Sequence, residues 1–343
     1  MPFIKTILHR FSMPYALGTM VRNNQNCVVC ATEDEGPIVV SAPPYTAAEI
    51  LVPGPGGCLS LVSDPENPGE LYAIMGCFLG YKFHGGALYR VDARGPRAAA
   101  AKLADLPFGH RMDVVRAGGQ KYILMANLAA TKETPEDWKL GGTVYALPLG
   151  PSGPSGSLVP VYEGIHKNHG FLKTTFQGRS SVFFSGEEGL FLLDLDSAPD
   201  SWKVRSILPY EVSEIAVCDL DGDGQDELVT IEPFHGPKLS VYKEGSGRWS
   251  RVWEAELAYG HGLLAQEFQG RPSILVSNRA GSKDLVWYPF EPSGTSPFPN
   301  PKPVTIDTGV GAANLLVHQS SGEEFLFAAN QTQGEFVRYH WEK

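Results

Sequence analysis

The sequence contains no long hydrophobic run. Nowhere do about 18 apolar residues follow one another, so no segment is expected to cross a membrane as a helix. The opening "MPFIKTILHRFSMPY" lacks the apolar core and small-residue cleavage site of a secretory leader. Positive charge is scarce, with 28 Lys and Arg against 38 Asp and Glu. A net charge of −10 argues against a nucleic-acid partner, because binding phosphates needs a basic face. Cysteine is scarce and odd in number: five residues exclude a fully paired disulfide framework. The one CxxC, Cys27 to Cys30, lies in "NCVVCAT", which reads as a strand. Side chains three apart on a strand point to opposite faces, so buried thiols of a reducing cytoplasm are expected there, and no zinc or redox pair. Extended helical periodicity is missing as well.

Turns and short apolar runs are plentiful. Glycine (38) and proline (27) punctuate the chain at a spacing that suits many short strands. Five segments share one pattern, starting at residues 109, 168, 213, 260 and 311, and two looser copies start at 16 and 57. Each has an apolar strand, a glycine-bearing polar turn, a second apolar strand, a variable loop and a third strand rich in aromatics. Segments such as "WKVRSILP", "WSRVWEAEL" and "KPVTIDTG" supply a fourth, outer strand. Four antiparallel strands repeated radially make a β-propeller. The expected fold is therefore all-β: one seven-bladed propeller over residues 1–343, with residues 1–12 completing the last blade and closing the ring. Closure removes the exposed sheet edges that an open array would leave.

Two groups of residues stand out for chemistry. In "CDLDGDGQDE", Asp219, Asp221, Asp223, Gln225 and Glu227 alternate around Gly222 and Gly224. Hard oxygen ligands at that spacing suit a structural Ca²⁺. The second group is histidine. His110, His169 and His261 precede or open the first strand of a unit, while His84 and His235 lie in "FHGG" and "FHGP" between second and third strands. In a propeller those two places lie on one face, so the five should ring the mouth of the central channel, and His9 can join them. Neutral imidazoles in such a cluster can hold Zn²⁺ or another divalent transition ion, with His169, His235 and His261 as the ligands. Without a metal they can move protons near neutral pH. His110 and Tyr259 are candidate bases, and His84 and Arg111 candidate acids or anchors. Arg111, Lys173, Asn127, Asn278, Arg279 and Asn330 should line the same face, with Tyr15 and Tyr81 nearby. Trp138, in the inserted "LAATKETPEDWKLGG", should offer a stacking surface to a sugar ring.

The D-x-D-G-D-G-x-x-E loop between two strands resembles the FG-GAP or VCBS repeats of β-propellers. Together with the FHG turn and the histidines, the chain resembles the propeller portion of the aldos-2-ulose dehydratases, which dehydrate 1,5-anhydrofructose and related keto-sugars. That resemblance implies a carbohydrate-directed carbon–oxygen lyase working by β-elimination. The fungal enzymes carry further cupin domains, for which nothing remains after Tyr339, so steps that depend on those domains fall outside the implication. The alternative is a non-catalytic propeller that binds carbohydrate or protein. Glycoside hydrolysis ranks lower, because Glu187 and Glu188 adjoin in one loop and do not face each other as that chemistry requires.

Overall fold

The computed structural model describes residues 3–78, 83–95, 98–134, 136–151, 153–195, 199–292 and 298–342. Tyr81, expected near the channel mouth, lies outside them. The strands form seven antiparallel sheets in sequence order. Their innermost strands are Pro14–Arg22, Ser60–Ser63, Gly109–Ala117, Gly170–Phe176, Glu214–Cys218, Gly260–Phe268 and Ala312–Ser320, which head blades 1 to 7. Each innermost strand touches the next, and that of blade 7 touches that of blade 1, so the ring is closed. Strand Phe3–Arg10 pairs antiparallel with Glu335–Trp341 and becomes the outer strand of blade 7, as the sequence pattern predicts.

Burial follows position in the blade. Middle strands such as Glu70–Met75 and Glu227–Glu232 are buried throughout, because neighbouring blades cover both faces. The outer strand Arg248–Glu256 is exposed along most of its length. Cys27 and Cys30 follow the predicted alternation: Cys27 packs toward blade 2 with Leu61 and Cys30 toward blade 7 with Phe327, both as free thiols. Among the described residues no helix is long and apolar enough to cross a membrane.

On one face, the first two strands of blades 1, 3, 4, 6 and 7 are joined by two-residue turns. Their central pairs, Asn23-Asn24, Gly118-Gly119, Gln177-Gly178, Gln269-Gly270 and Ser321-Gly322, all have positive φ. This is the type I′ geometry whose twist matches that of a hairpin. Blade 5 replaces the tight turn with the acidic loop that follows Cys218. The opposite face carries the links between blades and the second-to-third-strand loops, and there the histidines gather.

Candidate active site and metal centre

The chain makes the same local move at the start of six blades. Met13, Gly57, Phe108, Lys167, Tyr259 and Gly311 hold left-handed backbone, with φ between 49° and 62°. Four of the six carry side chains, a strained choice that neighbouring structure must hold in place. In three blades the residue after the second strand does so: the Glu33, Leu128 and Arg279 amides donate to the Met13, Phe108 and Tyr259 carbonyls at 2.9, 2.8 and 2.9 Å. Two residues beyond these turns stand Tyr15, Leu59, His110, His169, His261 and Ala313. Tyr15, His110, His169 and His261 meet across the channel axis.

His235 joins them from the second-to-third-strand loop of blade 5. Its own φ is 47°, and its amide donates to Ser213 Oγ at 3.1 Å. Gly236 permits this turn, since a Cβ there would collide with the Glu232 carbonyl. The His235 ring stacks on Phe234 (centroids 4.1 Å apart) and lies 4.7 Å from His169 and 4.8 Å from His261. His110 stands 4.3 Å from His169, and its Nε2 lies 3.2 Å from the Tyr15 hydroxyl.

Hydrogen-bond partners fix two tautomers. His169 Nδ1 faces only acceptors, Glu214 Oε1 at 2.8 Å and the Ser213 carbonyl at 3.3 Å. His261 Nδ1 faces the Ala313 carbonyl at 2.6 Å. Both Nδ1 atoms must therefore carry the proton, which leaves each Nε2 with a bare lone pair. His235 Nε2 lies 3.1 Å from His169 Nε2, and its Nδ1 meets the Tyr259 hydroxyl at 2.8 Å. One donor atom from each of His169, His235 and His261 falls within 4.8 Å of the others. Two imidazole nitrogens on a tetrahedral zinc lie about 3.3 Å apart. The His169–His235 pair already has that spacing, and His261 needs a small inward movement to complete the set. The donor chemistry fits a divalent transition ion or Zn²⁺.

Behind these ligands lies a buried ion pair. Arg111 Nη2 meets Glu214 Oε1 at 2.8 Å, and Arg111 Nη1 donates to Asn314 Oδ1 at 3.2 Å. Burial works to raise the Glu214 carboxyl, but Arg111 and His169 outweigh it and hold it below its ordinary value. Glu214 is thus an anion that fixes the His169 ring, the common outer partner of a metal-bound histidine. Burial pushes His110 and His261 well below the ordinary imidazole range and His235 down to about 2, with the neighbouring histidines and Arg111 adding to it. These three rings are neutral at pH 7, the state that coordinates metals or accepts protons.

The remaining predicted residues have other tasks. His84 is exposed and packs edge-on against Phe108 at 4.9 Å, and His9 lies on the outer strand of blade 7 against Phe11. Neither touches the cluster. Asn127 accepts from the Thr143 amide at 2.5 Å, and Asn278 from the Ala258 amide at 2.8 Å. Asn330 donates to the Tyr339 hydroxyl at 2.8 Å. These amides hold their own blades together, since a strand end leaves backbone groups that need partners. Lys173 bridges to Asp113 at 2.7 Å along the inner strands of blades 3 and 4. Trp138 reaches toward the site and meets Phe234 edge-on at 5.4 Å, but Lys132 Nζ covers its ring at 3.2 Å. One face of the ring is thereby taken by the ammonium group. Arg111 is committed to Glu214. Arg279 lies at the rim, 6.0 Å from the centre of the Tyr259 ring. Glu188 binds His166 Nδ1 at 2.5 Å, so no opposed carboxylate pair arises there.

Glu214 escaped the sequence reading, although it holds in "SEIAV" the place that histidine holds in "NHG" and "GHG". Aligning the unit starts column by column would have exposed it.

The acidic loop gathers carboxylates as a cation site requires, and a lysine stands among them. Asp219, Asp221 and Glu227 converge, but a cation is already present: Lys243 Nζ contacts Asp221, Asp223 at 2.8 Å and Glu227 at 3.3 Å. Both Asp219 oxygens accept backbone amides, from Gly222 and Gly224. The Gln225 side chain turns to Asp223 at 3.4 Å and not to the cluster. The ammonium group stands where the sequence predicts Ca²⁺. Burial lifts the fully enclosed Glu227 to about 7, and Lys243 works against that rise. Wild-type melting is therefore expected to ignore Ca²⁺. Lys243→Met should lose about 1–3 kcal/mol, the cost of stranding a buried charged group, and millimolar Ca²⁺ should restore it. Ca²⁺-dependent melting of the wild type would show that Lys243 yields to the ion.

Among solved structures the chain is similar to Raptor of Chaetomium thermophilum (TM-score 0.60, 13% identity), covering all of this chain and 30% of that one. It is similar to the β-propeller domain of Cps50 (Swd1) of Myceliophteria thermophila (TM-score 0.58, 11% identity), covering 99% and 100%. It is also similar to a Bacteroides uniformis protein provisionally assigned as a 6-phosphogluconolactonase (TM-score 0.55, 13% identity), covering 91% and 88%. At these identities the likeness is one of fold. No protein-family model and no curated protein matches the sequence.

Proposed function

We propose that this propeller is a carbohydrate-directed enzyme, a metal-dependent carbon–oxygen lyase that eliminates water or an alcohol beside the carbonyl of a keto-sugar or sugar derivative. The observation that carries this reading is the convergence of His169, His235 and His261 with two Nε2 lone pairs fixed by their partners. A divalent ion held there would act as a Lewis acid that polarises a carbonyl oxygen. The likeness to a protein assigned as a sugar lactonase agrees with a carbohydrate role, but it rests on fold.

The chain's own residues cover the proton transfers. His110 is neutral, and its Nε2, shared with the Tyr15 hydroxyl, can take the proton from the carbon next to the carbonyl. Electrons from that C–H bond form the new double bond as the neighbouring C–O bond breaks. Tyr259 is 45% exposed, and its hydroxyl sits on His235 Nδ1, where it can give its proton to the departing oxygen. Glu214 orients His169 and the Ala313 carbonyl orients His261, so both ligand rings are held in a fixed tautomer.

The test is direct. Protein loaded with Zn²⁺ is mixed with 1,5-anhydrofructose, related keto-sugars and uronate oligosaccharides, and absorbance from a conjugated product is followed. His110→Ala and Tyr259→Phe are expected to lower kcat by about 10²–10⁴, the range for one proton-transfer group. Unaltered binding with no product from any substrate class would leave a binding propeller in its place.

A further inference from the structure

We propose that Arg279, held at the rim by Gln331 with Glu33 behind it, recognises the carboxylate of an acidic sugar. This names the substrate class of the site and rests on the sugar-directed reading above. The three residues hold one equivalent position, the first after the second strand, in blades 6, 7 and 1. They therefore form a continuous arc of the channel mouth. Gln331 Nε2 donates to Glu33 Oε2 at 2.7 Å, and Gln331 Oε1 accepts from Arg279 Nη2. Gln331 thus bridges the acid and the base, and Arg279 acts on the Glu33 carboxyl across it without a direct ion pair.

The two guanidinium groups of the site differ in this respect. Arg111 is neutralised by Glu214 at 2.8 Å. Arg279 forms no ion pair among the described residues; its contacts are the Gln331 carbonyl oxygen and the Tyr259 ring. Gln331 is 6% exposed and Glu33 8%, so this network is part of the packed rim. Tyr259 carries Arg279 on its ring and His235 on its hydroxyl, which places the guanidinium beside the histidines. A guanidinium without a direct ion pair, in a partly desolvated place, is stabilised when the ligand brings an anion to it. A planar fork suits the two oxygens of a carboxylate. A phosphate would call for donors beyond this one fork.

The experiment compares two sugars that differ only at C6. D-galacturonate and D-galactose are titrated calorimetrically into chelated, metal-free protein, so that neither a bound ion nor turnover contributes. Galacturonate is expected to bind about tenfold more tightly or better, the scale of one charge-assisted hydrogen-bonded pair. Arg279→Gln should abolish that preference, and Arg279→Lys should keep part of it, both with melting curves like the wild type. Equal affinity for the two sugars, absence of binding by either, or a preference that survives Arg279→Gln would overturn the proposal. Elimination on a neutral keto-sugar alongside any of those outcomes would sink this inference and leave the lyase reading standing.

Discussion

Protein loaded with Zn²⁺ and then desalted is expected to retain one ion per chain, and His169→Ala or His261→Ala to retain none. The two residues supply the fixed lone pairs, because their other nitrogens donate to Glu214 and to the Ala313 carbonyl. Losing one of three protein ligands leaves two, too few for a stable zinc site. Glu214→Gln acts through His169. It should keep the fold and weaken binding about 10–100-fold, the usual cost of removing an outer-sphere partner. Thermal melts give a second readout, since an ion at a thousand times its dissociation constant stabilises the folded state by about 4 kcal/mol. For 343 residues that corresponds to a rise of about 6 °C in Tm. Elemental analysis of the wild type and the three variants decides the matter. A wild type that emerges metal-free, or an alanine variant that keeps its ion, would end the metal-centre reading and return the histidines to acid–base work alone.

Metal-free protein is expected to lose stability steeply as pH falls below 6.5. His110, His235 and His261 are held neutral by burial, with folded-state values far below that of a free imidazole. In the unfolded chain they titrate near 6.5. Below that pH the unfolded state binds more protons than the folded one, so unfolding becomes easier as acid is added. Three such groups contribute up to about 4 kcal/mol between pH 7.5 and 5.5. His318 and His9, also lowered by burial, add to the loss, whereas Glu227, lifted to about 7, binds its proton in the folded state first and opposes it. Glu214 has a lowered value, and its contribution is lost only at pH below the ordinary carboxylate range. His166, raised by its bond to Glu188, has the opposite sign: its stabilisation is complete below 6.5 and fades as pH rises through its folded value. Urea unfolding of chelated protein at the two pH values measures the slope. His110→Gln should remove one histidine's share of the loss, about 1.4 kcal/mol, and a slope unchanged by that substitution would mean that water reaches the ring.

How much of this was legible in the sequence depends on the range of the interaction. The blades were legible because each repeats one local code, strand–turn–strand, with alternation that needs no distant partner. The N-terminal strand could be placed at Glu335–Trp341 because its pattern matched the vacancy in the last unit. His110, His169, His235 and His261 could be grouped because equivalent places in a repeat share a face. The same reasoning misplaced His84, since a loop position sets the face but not the reach of the side chain, and Phe108 holds it outside the cluster.

Pairing across blades was not legible. Lys243 lies 16 residues beyond Glu227, on a strand whose register alone brings its ammonium among the carboxylates. Glu214 and Arg111 come from different blades, as do Arg279, Gln331 and Glu33. Tautomers follow from such contacts too, because a carbonyl or carboxylate on one ring nitrogen decides what the other can do. By itself, then, the sequence determined the seven-fold strand code and the place of each histidine within it. Only the tertiary structure decided which charges are cancelled and which lone pairs are bare. Strand patterning is set by neighbours along the chain, whereas a charge or a proton is settled by whatever closure of the ring brings within about 3 Å.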